Sequence, residues 1–161
     1  MSIAAFFASS RYLGSSLRAT KPFISYNLTR TMHIQPIPMR WGSGDNYAYL
    51  LVDEATKNAW LIDAAEPEEV ELFLEPLKGT YELKAIVNTH HHYDHAGGNE
   101  YFHKKYPDLP LIAGRDSPLV SYTPSNKEVV DLGDNLSITA LHTPCHTQDL
   151  ICYYVKDLKS G

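Results

Sequence analysis

Apolar and polar positions change their spacing several times along this chain, and each change predicts an element. His33-Ile34-Gln35-Pro36-Ile37-Pro38-Met39 reads as extended, and its two prolines suit a sheet edge, where a missing N–H breaks no ladder. Gly42-Ser43-Gly44-Asp45 reads as a turn. Residues 46–52 and 59–62 follow as strands around a second turn at 54–58, giving a meander that ends at Asp63. The period then becomes helical. Pro67 suits the first position of a helix, Glu68 and Glu69 suit its positive end, and Val70, Phe73, Leu74 and Leu77 recur on one face. Pro76 predicts a kink or an early end, and Gly79 the stop.

Leu83-Lys84-Ala85-Ile86-Val87-Asn88 is a short apolar run of the kind found in a buried strand. Beyond the polar stretch that follows it, residues 98–106 read as a helix stopped by Pro107, with Tyr101, Phe102 and Tyr106 toward the sheet and His103 exposed. Residues 109–113 read as a strand closed by Gly114, and 115–127 as a loop containing Pro118 and Pro124. Residues 128–132 and 136–141 flank the turn Gly133-Asp134-Asn135, and 151–155 form a last strand. The order predicts an α+β fold, a mixed sheet with helices on one outer face. His33, without a histidine or acidic neighbour, reads as a surface or packing residue.

Length and composition add bounds. At 161 residues, with 43% hydrophobic and 20% charged positions, the chain suits one globular domain. It has no apolar run long enough for a membrane-spanning helix. Its two cysteines, Cys145 and Cys152, make no disulfide framework; they fit a reducing compartment and read as buried thiols.

Charge is distributed unevenly. Residues 1–44 carry Arg11, Arg18, Lys21, Arg30 and Arg40 and no acid, so these five of 14 basic residues leave nine against 19 acidic ones in the remainder. An acidic body argues against nucleic acid or an anionic membrane as partner. The leading stretch, rich in Ser, Ala and spaced Arg, has the composition of a mitochondrial transit peptide. Residues 1–31 are therefore expected to be a targeting extension and 32–161 the folded domain. Initiation at Met32 would give a cytosolic form.

The chemistry concentrates in the stretch after the buried strand, Thr89-His90-His91-His92-Tyr93-Asp94-His95-Ala96-Gly97-Gly98, which holds four of the eight histidines. Loops at the carboxyl ends of strands are where α/β proteins place ligand sites. His90 and His92, two apart, can point the same way and grip one metal; Asp94 and His95 are displaced and can grip a second. Zinc favours such nitrogen and oxygen ligands. One loop cannot close a tetrahedron, so a further ligand must come from elsewhere. His146, after the Pro144-Cys145 bend, is preferred over His142, which belongs to a strand end. His91 is expected to face outward or to support the others from behind.

Thr89-His90-His91-His92-Tyr93-Asp94-His95 matches the His-x-His-x-Asp-His signature of the metallo-β-lactamase superfamily. Met39-Arg40-Trp41, Asn46-Tyr47, Leu61-Ile62-Asp63, the run 86–99, Thr143-Pro144-Cys145-His146-Thr147 and 151–155 resemble its glyoxalase II (hydroxyacylglutathione hydrolase) branch, over residues 33–158. The resemblance implies an αββα sandwich and two divalent metals, zinc in the first place, with iron or manganese as alternatives in the second position. By position His90, His92 and His146 would hold one metal, and Asp94 and His95 would help hold the other. It implies hydrolysis of the glutathione thioester S-D-lactoylglutathione to D-lactate and glutathione. A water acidified between two cations would attack the carbonyl, and Asp94 would orient it. Asp63 would either hydrogen-bond a ligating histidine or be a plain turn aspartate.

The family also has a bridging aspartate in a Gly-Asp context, a later histidine and a C-terminal helical region that contacts glutathione. The sequence stops at Gly161, before all three; Asp149 and Asp157 lack that context, and Gln148-Asp149-Leu150 departs from the family's Gly-containing turn. The expectation is the N-terminal half of the sandwich, with an apolar sheet face left open to association. Two functions follow: a thioester hydrolase, of this or another substrate within the superfamily, or a metal-binding fragment without activity.

Overall fold

The computed structural model describes residues 30–40 and 46–159. Most of the targeting extension, Trp41 and the turn at 42–45 lie outside them.

A five-stranded sheet has the order β1-β2-β3-β4-β5. Strand β1 (Met32–Pro38) pairs antiparallel with β2 (Tyr47–Asp53), and β2 with β3 (Asn58–Ile62). This is the meander read from the alternation, and the two prolines sit on its edge strand. Strands β4 (Glu82–Val87) and β5 (Leu111–Ile112) then add in parallel, each reached through a helical crossover. The expected five-residue strand at 109–113 shrinks to two residues, because the chain leaves the ladder at once toward Gly114. A second sheet, β6-β7-β8, is antiparallel throughout and comprises Val129–Leu132, Leu136–His142 and Ile151–Asp157.

Helix α1 (Pro67–Leu74) begins on its proline, carries Glu68 and Glu69 in its first turn and passes into a 3-10 turn, Glu75–Leu77, at Pro76. Proline cannot donate to the preceding turn, so the α-helix ends there. Helix α2 (Tyr93–Ala96) is a single turn inside the histidine stretch, and α3 (Asn99–Lys105) follows it. Phe102 of α3 is wholly buried, whereas Tyr101 is 44% exposed. Tyr101 was expected against the sheet; instead its ring meets Phe102 edge-on from outside, at 5.2 Å, with Lys105 over its face.

Alternate residues of the first sheet feed two cores. Leu50, Val52, Ala59, Leu61 and Ile86 face the helices with Val70, Leu74 and Phe102. Leu51, Trp60, Ala85 and Val87 face the second sheet, against Leu132, Leu136 and Ile138. A central sheet buried on both faces explains why its strands read as continuous apolar runs. The layers are helix, sheet and sheet. On the outward face of the second sheet Val129 and Tyr154 are exposed, and so are Cys145 and Cys152, which were expected to be buried. Cys152 points outward because it neighbours the buried Ile151 on a strand, where successive side chains alternate. Among the described residues no helix is long and apolar enough to cross a membrane.

Candidate metal centre

The carboxyl ends of β3 and β4 and the loop between β7 and β8 converge at one edge of the two sheets. Asp63 leaves β3, residues 89–95 leave β4, and His146 lies in the loop that precedes β8. Asp63 has φ +53, a left-handed conformation costly for a residue with a Cβ. Its N–H bonds to the Val87 carbonyl at 2.9 Å, which keeps it beside the end of β4. A Cβ on Gly98 would lie 1.9 Å from the Ala64 carbonyl oxygen. Only glycine lets the histidine stretch settle onto the turn that follows Asp63.

The rings of His90, His92 and His146 stand 4.7–5.0 Å apart, centroid to centroid, in a triangle. One nitrogen of each lies within 4.8 Å of the others. His90 is buried, His92 half-buried and His146 exposed. Asp94 Oδ2 and His95 Nε2 form a neighbouring pair at 3.6 Å, and the His95 ring lies 4.2 Å from that of His90. His142 is not part of the group; it ends β7, and its Nε2 bonds the Pro124 carbonyl at 2.8 Å.

One carboxylate sets the orientation of two of these rings. Asp63 Oδ2 accepts from His95 Nδ1 at 3.1 Å and from the Thr89 hydroxyl at 2.8 Å, and the Thr89 oxygen in turn lies 3.0 Å from His90 Nδ1. Asp63 Oδ1 accepts the Thr89 N–H at 2.8 Å. With protons on both Nδ1 atoms, the lone pairs of both Nε2 atoms face the cluster. Hydrogen bonding of this kind fixes the tautomer of metal-ligating histidines. Burial, with His95 and His92 nearby, pushes the His90 imidazole toward the neutral form, whereas the hydrogen bond to Asp63 raises the pKa of His95.

A buried network that was not anticipated supports the stretch. Asn88 donates to the His95 carbonyl at 3.2 Å and accepts from Asn99 at 2.7 Å, while Tyr153 of β8 donates to the Asn88 carbonyl at 3.2 Å. Asn46 donates to the Asp94 carbonyl. A polar Asn88 directly after an apolar strand was the one available signal; the partners come from distant segments. His91 turns away from the triangle, toward Asp149 and Asp116, with which it forms a separate group.

His90 Nε2 is buried and has no hydrogen-bond partner. An orphaned imidazole nitrogen facing two further imidazoles is unfavourable by itself, and a cation satisfies it. Three imidazoles beside a carboxylate suit zinc and related divalent ions.

A model of the metallo-β-lactamase superfamily matches residues 41–159. The mitochondrial hydroxyacylglutathione hydrolase of Saccharomyces cerevisiae is 49% identical over 142 residues, covering 82% of this chain and 48% of that protein. The cytoplasmic isozyme of the same yeast is 50% identical over 136 residues, covering 78% and 48%. The chain thus spans about half the length of the curated relatives it matches. Among solved structures, ETHE1 from Myxococcus xanthus superposes with a TM-score of 0.63 at 23% identity, covering 76% of this chain and 53% of that one. A subclass B3 metallo-β-lactamase of Bradyrhizobium japonicum gives 0.62 at 23% identity, covering 80% and 58%. At those identities the likeness concerns the fold.

Proposed function

Because the chain belongs to the metallo-β-lactamase superfamily, we propose that it is a divalent-metal-dependent hydrolase of glutathione thioesters, converting S-D-lactoylglutathione to D-lactate and glutathione. The observation that carries the reading is the triangle of His90, His92 and His146, with an unpartnered buried nitrogen on His90. Identity near one half to hydroxyacylglutathione hydrolases supports the substrate class.

His90, His92 and His146 would hold one cation, and Asp94 with His95 would contribute to a second. Bound cations would supply a Lewis acid that acidifies water and polarises a thioester carbonyl. Asp63 and Thr89 keep the His90 and His95 lone pairs aimed at the cluster. Asp94, half-exposed beside His95, would accept a proton from an attacking water and orient it. The departing glutathione thiolate needs little help, since a free thiol ionises near pH ~8.5.

The test is metal content together with hydrolysis of S-D-lactoylglutathione and of a panel of other acyl thioesters by the purified chain. Metal-dependent turnover that prefers lactoylglutathione and vanishes in His92→Ala is expected. A chain that binds metal yet hydrolyses no thioester would leave only the metal-binding reading. One that prefers another acyl group would move the substrate within the superfamily.

The basic, acid-free residues 1–31 support delivery to the mitochondrial matrix, with a cytosolic form starting at Met32. Mitochondrial and cytoplasmic relatives exist in one yeast. Residues 1–31 fused to a fluorescent protein should direct it to mitochondria; a diffuse signal would rule this out.

A further inference from the structure

The three-histidine triangle exists only where two loops from different sheets meet. Residues 89–95 leave the first sheet at β4, whereas residues 143–150 join β7 to β8 in the second. The second loop closes on itself, through Thr143 N–H to the Leu150 carbonyl at 3.0 Å and Cys145 N–H to the Thr147 carbonyl at 3.1 Å. Its backbone reaches the first loop only after His146, where Ile151 N–H donates to the Thr89 carbonyl at 2.9 Å. His146 itself is exposed, so packing does not fix its position.

Side chains make the missing connection. Asp149, three residues past His146, presents a wholly buried carboxylate to His91, with Oδ1 at 2.8 Å from Nδ1. His91 lies between His90 and His92 in the chain and packs its ring edge-on against His92 at 5.0 Å. From the other side, the end of β5 walls Asp149 in: a Cβ on Gly114 would lie 2.2 Å from the Asp149 carbonyl oxygen. The loop that carries His146 thus meets both Gly114 and His91 through Asp149.

We propose that His91 and Asp149 are a positioning pair that locks the His146 loop onto the His90–His92 loop, so that the third imidazole is in place before a metal arrives. This rests on the reading of His90, His92 and His146 as a metal site. It assigns a role to the middle histidine of the signature, which touches no metal in that reading, and to an aspartate outside the ligand set. Removing a group that orients metal ligands usually lowers metal affinity by about 10- to 100-fold.

Zinc release into excess chelator tests the pair, measured on the full chain and on His91→Ala, Asp149→Ala and His91→Lys. A wild-type chain that takes up no zinc defeats the metal-site reading itself. With zinc held, His91→Ala and Asp149→Ala should release it about 10- to 100-fold faster. His91→Lys, whose ammonium can meet the same carboxylate, should stay near the wild-type rate. Cobalt-loaded His91→Ala should also show a shifted visible absorption band, which general loosening of the fold would not produce. Should Asp149→Ala fail to fold, His91→Ala, at a position 40% exposed, carries the test alone. Unchanged release from His91→Ala would overturn the proposal. So would an additional zinc equivalent, bound by the wild type and lost in Asp149→Asn, since the group with Asp116 would then be a ligand set.

Discussion

The side-chain amide of Asn135, in the β6–β7 turn region, donates to Asp53 Oδ1 at 2.8 Å and so joins the second sheet to the end of β2 in the first. The other oxygen of Asp53 accepts from the Asp134 N–H at 3.0 Å and from the Thr56 hydroxyl at 2.7 Å. Asp53 is fully buried, and a Cβ on Gly133 would lie 2.1 Å from its Oδ2. Asn135→Ala removes a donor from a buried carboxylate and should destabilise the chain by about 1–3 kcal/mol in urea denaturation. Zinc release at the distant histidine triangle should not change.

Acid should unfold the protein through carboxylates of this kind. Burial raises the pKa of Asp53, but hydrogen bonds from Thr56, Asn135 and Asp134 outweigh it and hold the group below its usual 3.8. Burial likewise raises Asp149, and the Thr147 hydroxyl and His91 ring beside it bring it below its usual value. A carboxyl depressed in the folded state contributes stability that is complete above the unfolded pKa and is lost as pH falls through it toward the folded one. Stability should therefore be insensitive to these two groups above about pH 5 and decline below about pH 4. Asp53→Asn should flatten that decline in a pH series of denaturation midpoints, although it lowers stability at neutral pH.

Asp63 should be legible in the titration of His95. The hydrogen bond from His95 to Asp63 raises the imidazole pKa. In the metal-free chain, Asp63→Asn should lower it, as followed by NMR of the ring protons. Asparagine tolerates the left-handed backbone about as well as aspartate does, so this variant isolates the charge. Asp63→Ala adds the conformational strain, and the difference in stability between the two variants measures that strain. An unchanged His95 titration in Asp63→Asn would show that the carboxylate does not govern the ring.

Gly98→Ala should fail where most glycine-to-alanine changes in helical surroundings succeed. The added methyl would meet the Ala64 carbonyl oxygen at 1.9 Å, and neither backbone can yield without moving the Asp63 turn. Overpacking of this kind costs about 1–3 kcal/mol. Thermal unfolding should report the loss, and the distortion should weaken zinc binding as well.

Local features carried the sequence reading furthest. Two prolines marked β1 as an edge, Pro67 opened α1 and Pro76 closed it, because each acts through its own backbone. The histidine stretch was legible because its donors lie within six residues of chain, and His146 because a bend before it distinguished it from His142. Tyr101 was misjudged because Phe102, with the partly buried Tyr106, takes the side of the helix that meets the core, leaving Tyr101 outside. The exposure of Cys152 depends on which face of β8 meets the other sheet, a matter of register rather than hydropathy. Asn88 showed only as a polar residue directly after an apolar strand, and Asn99, Tyr153 and Asp149 were invisible as supporting residues, since the partners through which they act lie 11, 65 and 58 positions away.

The triangle also has a topological consequence. His90 and His92 belong to the first sheet's loops and His146 to the second's, so a cation shared by all three would close the chain between them into a long loop. Cross-links that close long loops restrict the unfolded ensemble most in the chain-entropy picture, and a ligand that binds only the native arrangement adds its binding free energy to folding. Such an ion would act as a removable rivet between the sheets. Chelation would then lower the unfolding temperature and let the two sheets part at that edge first, beginning with the exposed His146.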